Sequence, residues 1–473
     1  LLTSLEFLSP GQLWPPPSER ERLMQYAINK RIFEGDHGNV YQSQFKRIQR
    51  IIGNFNDVIS YCVIANFQKL ISLKTADLLL GETPKVAAGE EGSEEQITID
   101  NIKENSDLIN TAYQTTIDVS RYGDGLFYVY KDIDTGAGRI DVTQPSIWFP
   151  VISPDNLKKI QYHVLAWTYE QDKNKYLKCQ IHSKGSYEER IYLLKDSEIK
   201  QLISSETKNT GLKDFAVIQI PNTITSDRTF GLDDYNDIDS IISELEVRVS
   251  QIAKVLDKHA EPSVQGPASA LEMDPSTGEW KLKMGNYFPK DSNEDADVEY
   301  IVWDAQMEAN FKMIEKLTNL LYTISEMGSA IFGDMTSNTG QIVSGSALRR
   351  LMISPLAKVN RIRMRFDPAL KKAIKLCSQL GGEGIKDLSK TPISITWKDG
   401  LPEDPKEQAD IMAIRTGNKS TISQYRAIQS QDNLSDEETN IELDRIAEDE
   451  AKANPIGGQN FPFSGTGNSG GEQ

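Results

Sequence analysis

Three cysteines in 473 residues, Cys62, Cys179 and Cys377, are too few and too widely spaced for a disulfide framework or a zinc ribbon. The usage is that of a protein kept in reducing surroundings. The four histidines, His37, His163, His182 and His259, are scattered, so the sequence contains neither an H-E-x-x-H metal pair nor an evident base for a serine nucleophile. No metal or cofactor is expected. No run approaches eighteen apolar residues, and the leading LLTSLEFLSP lacks a basic n-region, so no membrane partner is expected. Cations are also in deficit: 52 Lys and Arg against 69 Asp and Glu leave a formal charge of -17. A free-standing nucleic-acid binder would carry a net basic face, so any DNA contact must be local.

What remains is 38% hydrophobic and 26% charged, a globular composition with length for two to four domains. After WPPP (14–17), Ser18 and Glu21 have the spacing of a capping box, which predicts a helix from about residue 18. A second is predicted from about Asn56 to Leu80, stopped by Gly81 and Pro84, and a third from about Asp100 to Arg121, ending at Gly123. The Glu- and Gly-rich stretch 86–98 between them reads as a mobile loop. From there to residue 220, LFYVYKD, GRIDV, IWFPVI, IQYHVLAW, YLKCQIH, YEERIYLL and DFAVIQI are short β-branched and aromatic runs between turn residues, an antiparallel β region. DIDTGAG (132–138) has a calcium-loop look, but Gly136 stands where a ligand is needed, so a hairpin turn is the better reading.

Ile238, Ile242, Leu245, Val249, Ile252 and Leu256 step by four and three, the stripe of a helix spanning 233–260, roughly 40 Å long at 1.5 Å per residue. A second long helix, 304–328, carries Met307, Phe311, Ile314, Leu317, Leu321 and Ile324 at a similar period. They bracket an insert, 261–303, with strand candidates WKLKM and EYIVW.

GQIVSGSALRRL (340–351) has the glycine spacing of a phosphate loop, yet Ser346 and Ala347 occupy the places of its Lys and Ser/Thr. Nucleotide hydrolysis is not expected, and S-G-S-A is no nucleophile elbow. Ser344 or Ser346 instead suits a helix cap. The segment 346–380 then carries Arg349, Arg350, Lys358, Arg361, Arg363, Arg365, Lys371, Lys372 and Lys375 against one acid, Asp367, and Pro355 and Pro368 are expected to kink or divide it. These cations meet either DNA phosphates or acids of a neighbouring subunit, where Arg is favoured for bidentate pairing. In so acidic a chain the subunit interface is preferred. After a strand ISITW, Glu403 to Glu450 holds thirteen acids and five bases in two or three helices, and a Gly- and Ser-rich tail, 454–473, is expected to be disordered.

Four phrases carry a resemblance: ANFQKLISLKTADLLLGETP, SRYGDGLFYVYKD, IPN with FGLDDYNDIDSIISEL, and SGSALRRLMISPL. In order and spacing the chain resembles the portal proteins of tailed bacteriophages, the SPP1-like branch, over about residues 20–450. The resemblance implies an α+β portal fold: an N-terminal extension (1–17), a wing (18–232), two stem helices (233–260 and 304–328) around an α/β clip (261–303), and a tunnel loop (329–345). A kinked tunnel/wing helix (346–380), a return to the wing (381–400), a helical crown (401–453) and the tail follow.

It also implies a homo-oligomeric ring, usually of twelve subunits, at one capsid vertex of the virion. Double-stranded DNA would pass through it without sequence preference, and terminase, capsid and scaffolding proteins, and later head-completion or connector proteins would be partners. The tunnel loop, Thr336, Ser337, Asn338, Thr339, Gly340, Gln341, Ile342 and Val343, would face DNA. A ring-forming head–tail connector is the alternative, and an ATP-dependent motor subunit is disfavoured by the missing phosphate-loop residues.

Overall fold

The computed structural model describes residues 1–52, 62–260, 264–265, 271–273, 278, 280–282, 299–300, 307–333, 349–398, 405–417, 420–432 and 434–453. The chain divides into two compact units, one of residues 1–343 with 348–400, the other of 344–347 with 401–473.

In the first unit, helix α1 (Arg20–Phe33) follows a 3-10 turn at Pro17–Glu19 that takes up Ser18, so the predicted capping box does not form. Glu19 instead accepts from Arg22 Nε at 2.8 Å, and the same guanidinium donates to the Trp148 carbonyl at 2.9 Å. This anchors α1 to the β region. After α2 (Gln42–Ile52), α3 runs from Phe67 to Leu80, not from residue 56; residues 53–61 lie outside the described residues. The chain before α3 is drawn out because the amides of Val63 and Ala65 donate to Ser250 Oγ and Glu246 Oε1, both at 2.9 Å, and Asn66 then caps the helix.

The predicted loop 86–98 is ordered as strand β1 (Lys85–Ala87) and the start of α4 (Glu94–Asn105), whose Ser93 cap accepts from the Gln96 amide. The single helix expected over 100–121 is two, since Asp107 adopts φ 42° before α5 (Leu108–Tyr122).

Strands β2 (Asp124–Lys131) and β3 (Gly138–Val142) form a hairpin through DIDTGAG, with the Asp132 amide on the Ala137 carbonyl at 2.9 Å and Gly136 at φ 67°. Strands β4 (Trp148–Ser153), β5 (Asn156–Gln171), β6 (Asn174–Ser183), β7 (Ser186–Lys195) and β8 (Glu198–Asn209) make a five-stranded antiparallel meander. Strand β9 (Val217–Pro221) returns to pair with β2 in a three-stranded sheet ordered β3-β2-β9. The N-terminal Leu2, Leu8 and Trp14 cover one face of the meander over Phe149, Val164 and Leu177. Leu126, Trp148, Leu165 and Val217 join the two sheets. Sequence reading missed β8 because EIKQLISSETKN is a polar, largely exposed edge strand with no alternation to betray it.

Helices α6 (Asp239–Ala260) and α7 (Met307–Ile324) are shorter than predicted. Asp233 Oδ1 accepts from the Tyr235 and Asn236 amides at 2.9 Å, turning the chain before α6 begins. Ile241 and Ile242 at the start of α6, with Ile238 just before it, cluster with Leu321 near the end of α7 and Met327 just past it, so the pair is antiparallel. Of the predicted stripe, Ile238, Ile242, Leu245 and Ile252 are buried, Val249 and Ile314 half-buried, and Leu256 and Phe311 exposed. Between the helices, β10 (Val264–Gln265) pairs with β13 (Glu299–Tyr300), and β11 (Leu271–Met273) with β12 (Trp280–Leu282), at the two predicted strand positions WKL and EY.

The basic segment is divided at Met352, a turn that separates helical residues 349–351 from helix α8 (Ile353–Gln379), which itself runs unbroken. Pro355 sits in its first turn, where the missing amide has no intrahelical acceptor, and Pro368 lies within it on the exposed side. Strand β14 (Ser394–Thr396) then pairs with β1. The second unit contains α9 (Pro405–Thr416), α10 (Gln424–Asp432) and α11 (Asp436–Ala453). Among the described residues no helix is long and apolar enough to cross a membrane.

Candidate functional site

Three of the four phrases singled out in the sequence converge on one buried polar junction at the base of the α6/α7 pair. Asp234 stands at its centre. Its Oδ2 accepts from Ser120 Oγ at 2.6 Å, and its Oδ1 accepts from Asn222 Nδ2 and Lys358 Nζ, both at 3.0 Å. Lys358 also donates to the carbonyl of Ser325, just past α7, at 3.2 Å. Ser72 of α3 donates to Ser120 Oγ at 3.0 Å and meets Tyr235 Oη at 2.8 Å. One carboxylate thereby ties together α3, α5, β9, α7, α8 and the lead-in to α6.

Two glycines bring the strands close enough for this. A Cβ on Gly231 would lie 2.0 Å from the Gly123 carbonyl oxygen, and one on Gly123, at φ 84°, would lie 2.4 Å from that of Gly231. Neither position accepts a side chain. Beside them the fully buried Asp124 accepts from Gln219 Nε2 at 2.7 Å and from the Gly231 amide. Burial pushes its carboxyl up to about 6, against the downward pull of those two donors.

A second cluster binds the side of α6 to the N-terminal helices. His37 and Glu246 are fully buried, with Nδ1 and Oε1 2.6 Å apart and Nε2 3.0 Å from the Ile32 carbonyl. A carbonyl only accepts, so Nε2 bears hydrogen, and a proton must also lie between Nδ1 and the carboxylate. Tyr41 donates to Asp239 at 3.0 Å and accepts from Gln68 at 2.7 Å. Burial first, then the Asp239 carboxylate, raises the Tyr41 phenol far above its usual range.

Of the predicted cations, Lys358 is buried within the chain in its pair with Asp234. Arg361 pairs with Glu326. Arg363 donates to the Lys398 carbonyl at 2.9 Å and covers the Trp397 ring at 5.4 Å. Arg365 donates to the Arg361 carbonyl at 3.1 Å. Arg349 and Arg350 are exposed. The predicted tunnel-loop residues, 336–343, and the capping serines 344 and 346 lie outside the described residues.

A profile of the family described as phage portal protein, SPP1 Gp6-like, matches residues 20–455. The chain belongs to that family. Portal proteins are structural components of the virion at a capsid vertex. No curated protein matches the chain. Among solved structures it is similar to chains from the neck of an empty gene transfer agent (GTA) particle computed with C6 symmetry (13% identity, TM-score 0.44), a native GTA virion (12%, 0.41) and the native GTA neck computed with C12 symmetry (11%, 0.40). Each alignment covers 77% of this portal chain and 89% of the other.

The portal junction was only partly visible in the sequence. The signal it offers is polar residues, Ser72, Ser120 and Asp234, set within largely apolar segments, none of which the sequence reading singled out. Glu246 and His37 gave no signal.

Proposed function

We propose that twelve copies form a ring whose channel carries double-stranded DNA into the capsid during packaging and out during ejection. Terminase, and afterwards head-completion or connector proteins, dock on its clip. In this reading 18–232 is the wing, α6 and α7 the stem, 261–303 the clip and 401–453 the crown. Residues Thr336 to Val343 touch passing phosphates without gripping them, and capsid and scaffolding proteins meet the wing.

One observation carries the reading beyond family membership: the stem pair is apolar on more sides than it can cover by itself. Ile242 and Leu321 are buried between the two helices, but Leu256, Phe311, Leu320 and Ile324 are between 43% and 55% exposed. A ring of copies gives those side chains neighbours, as closed symmetry does for any repeated patch. With -17 per subunit, the channel wall would repel DNA weakly along its length and leave it free to slide. Electron microscopy of the purified chain tests this: a twelvefold ring with a broad rim and narrow stem is expected, and a monomer at every concentration would refute it.

A further inference from the structure

We propose that a lysine-rimmed pocket on α8 receives the acidic helix α11 of a second copy. The proposal rests on the ring reading and supplies it with a specific contact between subunits.

The pocket, of 420 Å³, lies between the C-terminal half of α8 and the loops at 213–214 and 389–393. Lys213, Lys371, Lys372 and Lys375 rim it, and Pro368, Leu376 and Ile393 supply apolar lining. Two of these lysines are neutralised within the chain, Lys371 by Asp367 at 2.7 Å and Lys372 by Asp214 at 2.8 Å. Asp214 is shared, since Lys184 also reaches it at 3.2 Å. Lys213 and Lys375 make no ion pair among the described residues. The pocket is thus an apolar patch under a surplus of positive charge, in a chain whose net charge is negative.

Helix α11 has the matching face. Its eighteen residues hold eight acids and two bases. Ile441, 51% exposed, sits at helical spacing from Glu437, Glu438 and Asp444, so an apolar anchor stands among carboxylates. The two cations on that side are engaged within the helix, Arg445 with Glu442 at 3.1 Å and Lys452 with Asp449 at 3.4 Å. Charge and apolar character therefore complement each other across two different surfaces of the same chain, the arrangement that head-to-tail contacts in a closed ring require.

Charge reversal with mixing tests the proposal. The pocket variant is Lys213→Glu with Lys375→Glu, which leaves both internal ion pairs standing. The helix variant is Glu437→Lys with Asp444→Lys, which spares Glu438, the residue that caps Ser435. Mass photometry over a concentration series reads assembly, and thermal melting of each variant reports folding. Each variant alone should raise the concentration for half-assembly about tenfold, the scale of two exposed ion pairs turned repulsive. A one-to-one mixture of the two variants should assemble like wild type, as should a chain carrying all four changes.

Rescue by the four-change chain without rescue by the mixture would put α11 in its own pocket and overturn the proposal. Loss of DNA retention by the pocket variant, with no rescue by mixing, would assign the pocket to phosphates and overturn it too. Unchanged assembly of both variants beside normal wild-type rings would refute the contact and leave the portal reading intact. Absence of rings from wild type would refute both.

Discussion

Lys358 Nζ lies 3.0 Å from Asp234 Oδ1, with both side chains less than a tenth exposed. The pair fastens the basic helix α8 to the turn that launches α6. Removing the cation leaves a buried carboxylate with only Ser120 and Asn222 as side-chain donors, so Lys358→Met should cost about 3–5 kcal/mol in urea unfolding. Lys358→Met combined with Asp234→Asn should recover part of that loss, because no charge is then stranded. A loss in the double variant equal to the sum of the losses in Lys358→Met and Asp234→Asn measured singly would show that the pair is not coupled.

The contact between Gly123 and Gly231 should be equally intolerant, for a steric reason. Gly231→Ala places a methyl 2.0 Å from one backbone oxygen and 2.9 Å from the Asn222 amide nitrogen, atoms that cannot step aside as a flexible side chain would. Loss of more than about 2 kcal/mol is expected, measured as melting temperature and soluble yield. Gly38→Ala, with nothing within 4 Å of the added carbon, serves as the control and should be neutral or slightly stabilising.

These two sites show what was and was not legible in the sequence. The α6 stripe was readable because Ile238, Ile242 and Leu245 repeat on one helical face, and the β2–β3 hairpin because Gly136 marks its turn. Helix starts were misread wherever a distant group claimed the backbone: Glu246 and Ser250 hold the amides before α3, and β1 is a strand only because β14 pairs with it. Lys358 looked like its neighbours in a basic run. Its acid partner lies far upstream, and only the fold brings the two together.

Asp124 gives the junction a pH dependence of definite sign. Its folded carboxyl titrates near 6, above its ordinary value of 3.8, so the folded state holds a proton that the unfolded chain has released. Its contribution to stability therefore falls as pH rises from about 4 to about 6, by a few kcal/mol in order of magnitude. Asp124→Asn keeps one acceptor for Gln219 or Gly231 and removes the buried charge. The variant should lose that slope in urea titrations run at successive pH values, and a retained slope would assign it to another group.

The meander should respond to acid in the opposite sense. His163 and His182 are cross-strand partners on β5 and β6, with burial pushing their imidazoles down to about 3 and about 4. Folded, they stay neutral where the unfolded chain, near 6.5, takes up protons, so stability is lost as pH falls below about 6.5. His182 lies between Tyr128 and Tyr187, with no hydrogen-bond partner for either nitrogen among the described residues. His182→Phe should preserve that packing and blunt the acid loss. His163 accepts from Trp148 Nε1 at 3.1 Å, so the same change there should destabilise at every pH. Hydrogen exchange of the β5 and β6 amides at pH 7 and pH 5 would separate the two outcomes.

The exposed end of the stem separates folding from assembly. Phe311 is 55% exposed and lies near the start of α7, away from the Ile242–Leu321 core at the helix's other end. Within one chain it covers little, so Phe311→Ser should move the monomer's unfolding free energy by no more than about 0.5 kcal/mol. In a ring the same side chain packs against a neighbouring stem, and its loss should raise the concentration needed for assembly by about tenfold or more. Leu321→Ser is the converse case: Leu321 is fully buried in the chain's own core, so it should lose folding first and rings only as a consequence. Sedimentation velocity beside thermal melting distinguishes them. If Phe311→Ser lowered both readouts together, the apolar end of the stem would be serving the chain's own fold and not its neighbours.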